Sequence, residues 1–392
     1  MSCTDLGHPV PTTTRSEDNI VFAALELSRK SWLVATSSPG EARISKRVVT
    51  AGDGPGLLAL LGKLRETAER RLGGAVRVVV IQEAGLDGFW VHRLLVDNAI
   101  ESHVVDAASL AVDRRKRRRK TDSIDVDALL RTLMAWARGE RRVCSMVRPP
   151  SPEDEDRRRL SREREALVKE RIQHSNRIKG LLAAQGITDF EPLRLDHRAR
   201  LDRLTTGDGR ALPPRLTAEI RRQLARLEAV VTDLKAVEAE RDALLAGDKP
   251  ATPAAPAEAA PPEAAVLLRL KGIGPEFASV LCLELLFWSF SNRREVAAYG
   301  GLTPSPFKSG GIEQGISKSG NPRLRKMMIQ LAWMWIRYQP GSAISRWFAA
   351  FVGTRRGRIR RIAIVAVARK LLIALWRFAT QGIVPEGAAL KS

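Results

Sequence analysis

Cysteine is scarce in this sequence, and its scarcity excludes two kinds of stabilising site. The 392 residues include three cysteines, Cys3, Cys144 and Cys282, which lie far apart. An odd number of cysteines without metal-ligand spacing indicates neither a disulfide framework nor a zinc site. The pattern is typical of a protein of the reducing cytoplasm.

Long apolar runs are also absent. The N-terminal residues contain no apolar stretch of the kind found in signal peptides. The most apolar late segment, IAIVAVARKLLIALW at 362–376, is interrupted by Arg369 and Lys370 before it reaches the length that spans a membrane. We therefore predict a buried or oligomer-forming helix over this segment, and no membrane partner.

Acidic residues are outnumbered by basic ones. The sequence has 44 Asp and Glu against 65 Lys and Arg, which gives a formal net charge of +21. Such an excess favours a polyanionic partner, and nucleic acid is the leading candidate. With 44% apolar residues, a chain of this length can build the cores of two or three domains.

The first 148 residues alternate between strand and helix patterns. After a polar leader over 1–17, for which we predict disorder, NIVFAALELS, SWLVATSS and RISKRVVT indicate three strands of a meander. A helix over 54–72 is followed by the strand VRVVVIQ, a helix around GFWVHRLLVDNAI and the strand SHVVD. This order predicts an α/β domain over 18–148 with a partly parallel sheet.

Beyond this domain the composition changes twice. Residues 153–246 are rich in Arg, Glu and Leu, and a coiled-coil seam at positions 220, 224, 227, 231 and 234 predicts two long helices in an antiparallel hairpin or a dimer arm. The Pro- and Ala-rich stretch 247–265 predicts an extended linker and the sharpest domain boundary. Residues 266–385 predict a mostly helical domain with a Gly- and Ser-rich loop. The predicted fold class is α/β plus all-α.

Acids at strand ends and on one helix are the candidates for catalytic chemistry. Glu26 ends the first strand and Glu83 the fourth, while Asp122 and Asp125 share a helix face from which Asp127 is turned away. Carboxylates that converge in this way can hold two divalent cations, which stabilise the attacking and leaving oxygens of a phosphodiester. The alternative for Asp122 is a helix N-cap or first-turn acid.

Seven consecutive cations precede the helical acids. We predict that they hold a phosphate backbone beside those acids. The alternative is a solvated basic loop or a localisation signal. The seven residues are Arg114, Arg115, Lys116, Arg117, Arg118, Arg119 and Lys120.

Several motifs occur in an order that resembles a known family. ALELSRK, EAGLDGF and KTDSIDVDAL are followed by GGLTPSPFKSGGIEQGISKSGNPRLRKMM. In this combination, over roughly residues 20–140 and 264–380, the chain resembles the bridge-RNA-guided insertion-sequence transposases. The resemblance implies an RNase H-like, RuvC-like N-terminal domain with four acids and a helical C-terminal domain whose loop carries a catalytic serine.

The family's acids are Asp, Glu, Asp and Asp in that order, and the resemblance implies that they bind two Mg²⁺ ions. The second acid matches Glu83 and the closing pair matches Asp122 and Asp125, whereas Glu26 stands where the family has Asp. Glutamate is longer by one carbon–carbon bond, roughly 1.5 Å, which is large against metal-ligand tolerances of about 0.2 Å. Either Glu26 bends back to ligate, or the site is weakened.

The serine that matches the family's nucleophile is Ser309 in FKSGG. In the family this serine attacks DNA and forms a phosphoserine link. Gly310 and Gly311 let the backbone approach a phosphate, and Lys308 offsets developing charge. The nearest histidine in number is His197, so a Ser-His pair has no support and the metal site is the consistent activator. The alternative is a turn residue in a Gly-rich loop.

Further candidates for phosphate contact lie in the C-terminal half. LKGIGPE resembles a helix-hairpin-helix turn, in which Gly272 and Gly274 expose backbone N–H groups to phosphate, although a plain helix–helix turn has the same pattern. Lys271 of this turn is a further candidate for nucleic-acid contact. RRGRIRR suits either backbone contact or a solvated helix start. The remaining candidates are Lys318, Arg355 and Arg356.

The resemblance also implies partners and a location. The partners are the DNA of the element ends and target, a structured noncoding guide RNA that selects sequence by base pairing, and further copies of the chain in a homodimer or homotetramer. The location is the prokaryotic cytoplasm, at the nucleoid. The favoured hypothesis is a DNA transposase that cuts and rejoins DNA. Its rivals are a junction-resolving nuclease that uses water, with Ser309 structural, and a non-enzymatic nucleic-acid-binding derivative disabled at position 26.

Overall fold

The computed structural model divides the chain into two compact units, Met1–Pro150 and Ser151–Ser392. The residues that the structure describes are 19–41, 43–85, 89–110, 122–246, 262–304, 308–309, 312–313, 315–316 and 320–391. Six of these are described by their backbone alone, namely Ala108, Asp122, Lys308, Ser309, Ile312 and Glu313. The predicted leader, 1–17, lies outside the described residues.

The first unit contains a mixed six-stranded sheet in the order β3-β2-β1-β4-β5-β6. Strands β1, β4 and β5 are parallel, and the other neighbours are antiparallel. The strands are β1 (Ile20–Leu27), β2 (Ser31–Ser37), β3 (Ser45–Thr50), β4 (Arg77–Glu83), β5 (Glu101–Val105) and β6 (Met146–Val147). The helices are α1 (Gly54–Leu72), α2 (Trp90–Asp97) and α3 (Asp122–Ala137), with a 3₁₀ turn at Ala107–Ser109.

Each face of this sheet is covered by helices because side chains alternate along a strand. Val21, Ala23 and Leu25 of β1 pack with apolar residues of α1 and α2, whereas Phe22 and Ala24 pack under α3. The predicted meander, the partly parallel sheet and the helix bounds 54–72 are confirmed. Strand β6 is an addition, since two residues are too few to give a sequence signal.

Helices make up most of the second unit. They are α4 (Pro152–Ala183), α5 (His197–Leu201), α6 (Pro214–Ala246), α7 (Pro262–Leu268), α8 (Pro275–Leu281), α9 (Arg293–Tyr299), α10 (Pro322–Tyr338), α11 (Ala343–Val352) and α12 (Arg358–Gln381). A π-helical turn, Cys282–Leu286, follows α8. The two-residue strands β7 (Lys308–Ser309) and β8 (Ile312–Glu313) pair within the predicted serine loop.

Helices α4 and α6 form an antiparallel hairpin within one chain. Arg164 pairs with Glu238 near one end, and Arg177 pairs with Glu219 near the other. The buried positions of α6 include 220, 224, 227, 230, 234 and 237, so Val230 takes the buried place predicted for position 231. The seam is therefore covered by the same chain, and it no longer argues for a dimer.

Helix α12 is the central helix of the C-terminal core. Its apolar residues, among them Val367, Leu371 and Leu375, pack against α7, α9, α10 and α11. The prediction of a buried helix over 362–376 is thus confirmed, and no helix in the described ranges is long and apolar enough to cross a membrane. Of the predicted linker, 247–261 lies outside the described residues, and α7 begins at Pro262 because proline is favoured in the first helical turn.

Candidate functional site

Glu26 and Glu83 lie side by side at the carboxyl ends of β1 and β4. The two parallel strands are in a register that pairs Leu25 with Gln82, so the next residue of each strand is an acid. Both acids line one cleft of about 280 Å³. The sequence prediction that these two strand ends meet is correct.

Both acids belong to the sheet face that α3 covers. Ala24 and Ile81, two residues before Glu26 and Glu83, are buried in the core beneath α3. Because side chains two residues apart point to the same face, the acids continue this row beyond the packed core. Both residues are partly exposed.

A cation joins the acids in the cleft. Arg29, in the turn between β1 and β2, lines the same cleft as Glu26 and Glu83. The turn is closed by Ser28, whose Oγ donates to the Ser31 carbonyl at 2.6 Å and accepts from the Ser31 N–H at 3.2 Å. Arg29 is thus the cation of this cleft, and a cation near two carboxylates reduces the cost of holding their negative charges together.

The first turn of α3 is held against β3 by one lysine. Lys46 Nζ donates to the Ser123 carbonyl at 2.8 Å, to Ser123 Oγ at 2.6 Å and to Asp127 Oδ2 at 2.7 Å. The side chains of Lys46 and Asp127 are each 29% exposed, so this ion pair is only partly screened by water. Asp127 thus has a structural contact with β3, and no sequence pattern identified Lys46 as its partner.

Asp122 and Asp125 both lie in this first turn of α3, as predicted. Asp125 is partly buried, and the side chain of Asp122 lies outside the described part of the structure. Among the described side chains, no three His, Cys, Asp or Glu residues are close enough together to hold a metal ion. The described cleft supplies two carboxylates, Glu26 and Glu83, which are the hard oxygen ligands that Mg²⁺ takes.

The loop that carries Ser309 contains a short hairpin in the second unit. Ser309 pairs with Ile312, Lys308 pairs with Glu313, and an isolated bridge joins Pro304 to Ile316. The sequence predicted an irregular loop here, and the backbone adds two ladder pairs to it. The side chains of Ser309 and Lys308 lie outside the described residues, as does Lys318.

The end of the serine loop is anchored by Asn321 and Glu284. Asn321 Nδ2 donates to Glu284 Oε2 at 2.9 Å, and the Asn321 N–H donates to the Tyr299 carbonyl at 2.7 Å. Gly320 has a φ of +95°, and a Cβ there would come within 2.4 Å of the Tyr299 carbonyl oxygen. Glycine is therefore required at this position.

Glu284 is a buried carboxylate that the sequence analysis did not identify. It is 4% exposed and lies on the π-helical turn, a rare distortion that is frequent at functional sites. Arg162 and Arg323 approach its Oε1 at 3.7 and 3.8 Å, and buried charges are retained only when paired in this way. The sequence signal was an acid inside the apolar run LCLELL.

The predicted helix-hairpin-helix turn lies between α7 and α8. Gly272 has a φ of +89°, and a Cβ there would lie 3.0 Å from Tyr338 Cβ. The Lys271 N–H donates to the Ala389 carbonyl, and Gln339 Nε2 donates to the Lys271 carbonyl at 2.8 Å. The turn is thus held by the C-terminal segment, and its contact with phosphate stays a prediction.

Of the two predicted basic clusters, the structure describes the one between α11 and α12. Arg355 and Arg356 are exposed between α11 and α12, and they line a cleft of about 520 Å³ with Arg360. The cation run 114–120 lies outside the described residues. Its contact with nucleic acid therefore stays a prediction.

Comparison with known proteins identifies the family. Residues 28–185 match the family described as "Transposase", of the DEDD type of IS110, and 264–347 match the "Transposase IS116/IS110/IS902 family". The sequence is 53% identical over 386 residues to "Putative transposase y4rJ" of Sinorhizobium fredii, covering 97% of each chain. This chain belongs to the IS110 family of insertion-sequence transposases.

Other relatives of the transposase are more distant. It is 26% identical over 275 residues to the transposase for insertion sequence element IS1328 of Yersinia enterocolitica, covering 68% of this chain and 73% of the relative. The DEDD-type match begins at residue 28. It therefore includes Glu83, Asp122 and Asp125, and it starts two residues after Glu26.

Proposed function

We propose that the transposase cuts and rejoins DNA by phosphodiester transfer, with Ser309 as nucleophile and Glu26, Glu83, Asp122 and Asp125 as Mg²⁺ ligands of a RuvC-like domain. The observation that carries this proposal is the placement of Glu26 and Glu83 side by side at the ends of parallel strands, lining one cleft. The helix that begins at Asp122 covers the same sheet face.

The chemistry divides between the serine and the acids. Bound Mg²⁺ would supply Lewis-acid stabilisation of the phosphate oxygens. Ser309 Oγ attacks phosphorus, so that a P–Oγ bond forms while the bond to the leaving DNA oxygen breaks. A carboxylate of the acidic group accepts the serine proton and then donates it to the leaving oxygen, which becomes a hydroxyl. A second DNA hydroxyl then attacks the phosphoserine, restoring the phosphodiester and the free serine.

The proposal also covers how the transposase selects DNA sequences and how many copies of the chain assemble. The net charge of +21 supports binding of polyanions. A structured noncoding bridge RNA, in line with the family resemblance, selects donor and target DNA by base pairing, while the protein contacts backbone and shape. A homodimer or homotetramer lets the acids of one protomer serve Ser309 of another.

Substitution of the serine tests the nucleophile. Ser309→Ala should abolish the covalent protein–DNA adduct that is trapped by denaturing the reaction on a labelled element end. Ser319→Ala, a matched change in the same loop, should leave the adduct detectable. Cutting by Ser309→Ala at the wild-type rate, without an adduct, would instead identify a nuclease that uses water.

Removal of metal tests the acidic site separately. Chelation with EDTA should stop adduct formation, and added Mg²⁺ should restore it. Carboxylates without metal are negatively charged and repel the phosphate, whereas bound Mg²⁺ offsets the charge of both. Isothermal titration with Mg²⁺ should show binding that Glu83→Gln removes. An adduct that forms at full yield in EDTA contradicts the metal assignment.

A further inference from the structure

A basic groove of about 790 Å³ lies in the second unit along α12. Five cations line it, against the single carboxylate of Glu386. No sequence motif identified these cations as a group, because they come from two separate helices. The five are Arg293, Arg294, Arg369, Lys370 and Arg377.

The groove follows from the two faces of α12. One face is the apolar core face that includes Val367, Leu371 and Leu375. The other carries lining residues at 366, 369, 370, 373, 374 and 377, the three- and four-residue spacing that keeps side chains on one helix face. The floor of the groove therefore carries both cations and apolar residues along one helix face.

The groove cations are not neutralised by neighbours. In the part of the chain that the structure describes, none of the five forms an ion pair, whereas Glu386 pairs with Arg346 at 3.6 Å. Lys370 Nζ lies 4.7 Å from the centre of the Trp347 ring, which orients the amine without cancelling its charge. An uncompensated positive field in a concave surface attracts an anionic chain.

We propose that this groove binds the sugar–phosphate backbone of a DNA strand. Four of its five cations are arginines, whose planar fork matches phosphate oxygens. Lys370 and Arg377 are separated by seven residues, which is roughly 11 Å along a helix and about three nucleotide steps of a duplex strand.

The apolar floor suits the sugars of a DNA strand. Ala366, Ile373 and Ala374 give a surface for deoxyribose between the cations. The inference rests on the chain's function as a transposase that acts on DNA. It does not depend on the identity of the nucleophile, so the groove and Ser309 can be tested independently.

Salt-dependent binding tests the groove in the full-length protein. A labelled duplex of about 30 base pairs is titrated by fluorescence anisotropy over a series of NaCl concentrations, and gel electrophoresis checks that the duplex stays intact during each titration. Log Kobs falls as log salt rises, and the magnitude of this slope is about 0.9 per neutralised phosphate. The triple variant R369Q/K370Q/R377Q should reduce the magnitude of the slope by about 2 to 3 and weaken binding at least tenfold at low salt.

A matched triple variant provides the control. Arg222, Arg226 and Lys235 of α6 are exposed and form no ion pair among the described residues, so R222Q/R226Q/K235Q changes the charge equally outside the groove. It should leave the DNA slope within about 0.5 of the parent value. The single variant R377E should lower the slope by about 1 or more, and circular dichroism checks that each variant folds.

Three results would overturn the proposal. The first is a groove triple variant with an unchanged slope, and the second is a control variant with an equal loss. The third is a slope that falls for a labelled RNA hairpin of equal length while the DNA slope stays constant, which would assign the groove to RNA. Loss of the Ser309 adduct leaves all three measurements unaffected.

Discussion

Asn321 and Glu284 are joined by a hydrogen bond in which Asn321 Nδ2 donates to Glu284 Oε2 at 2.9 Å. The Oδ1 of the same asparagine accepts from the backbone N–H groups of Arg323 and Leu324 in the first turn of α10. One side chain therefore links a buried carboxylate to the start of a core helix. Since Asn321 directly follows the serine loop, this link also determines where the loop ends.

Substitution of Asn321 should destabilise the second unit in two ways. Asn321→Ala removes the helix cap, which costs about 1 kcal/mol, and leaves Glu284 without its donor, which costs about 1–3 kcal/mol more. The unfolding free energy from urea titration should fall by roughly 2–4 kcal/mol. Ser151→Ala, which removes only the cap of α4, should cost about 1 kcal/mol. Equal losses in the two variants would contradict a role for Glu284.

Lys46 and Asp127 should show a measurable coupling energy. Lys46→Met and Asp127→Asn should each lower the unfolding free energy by about 1–3 kcal/mol, because each leaves a half-buried polar partner. A double-mutant cycle should give a coupling of about 0.5–3 kcal/mol, as expected for residues in direct contact. A coupling near zero would show that the ion pair does not form in solution.

The same lysine should affect transposition. Lys46→Met should reduce adduct formation by up to about 100-fold, because the first turn of α3 carries Asp122 and Asp125, the proposed metal ligands, and displacement of such groups costs about this much. Lys63→Met, a change at an exposed lysine of α1, serves as the control and should leave the rate unaltered. Full activity in Lys46→Met would show that the contact between Lys46 and α3 is not needed for transposition.

Shortening the two strand-end acids, Glu26 and Glu83, to aspartate should have opposite effects on recombination. Glu26→Asp should preserve or raise recombination, because aspartate is the family's residue at that place in the resemblance. Glu83→Asp should lower recombination, because the shorter side chain withdraws the carboxylate by roughly 1.5 Å. Recombination of a plasmid-borne element measures both. A chain that binds nucleic acid and stays inactive with either residue at position 26 would be a binding derivative.

Glu228 should give the contact between α5 and α6 a pH-dependent stabilisation. The Arg198 guanidinium, with a smaller contribution from His197, lowers the pKa of Glu228 from 4.5 to about 2. A lowered folded-state pKa stabilises the fold above pH 4.5, and this stabilisation is lost as the pH falls towards 2. The unfolding temperature of Glu228→Gln should therefore lie below that of the parent at pH 7 and approach it at low pH.

A control on the same helix isolates this ion pair. Glu240 is exposed on α6 and has no ion pair among the described residues, so Glu240→Gln should change the unfolding temperature little at any pH. Added salt should reduce the Glu228 effect at pH 7, since the carboxylate is 38% exposed and its pairing is screened. A Glu228→Gln difference that grows on acidification would contradict the lowered pKa.

Local patterns predicted the elements of the fold well. The short apolar run in NIVFAALELS predicted β1, and the bounds 54–72 match α1, which Asp53 caps through the Gly56 N–H and Gly73 ends in a left-handed conformation. These signals are short-range, because caps and side-chain periodicity depend on a few neighbouring residues. Strand β6 had no such signal, since a two-residue strand is defined only by its partner β5.

Contacts within the candidate site could be predicted only where the regular geometry of a sheet relates residues that are far apart in sequence. Parallel strands end at a common edge, so Glu26 and Glu83 could be expected to meet there, and they do. Lys46 could not be assigned to Asp127, because the two are 81 residues apart. Glu284 and Asn321 are 37 residues apart, and no spacing rule relates them.

The amino-acid sequence by itself determined the helices and strands, the excess of positive charge and the order of the family motifs, because these depend on side-chain type and short-range spacing. Only the tertiary structure decided that the α6 seam is covered within the chain and that Glu284 is buried beneath Asn321. It alone also brought Arg293 and Arg377 to one groove. Such relationships follow from long-range packing, in which residues far apart in sequence come together when apolar surfaces are removed from water.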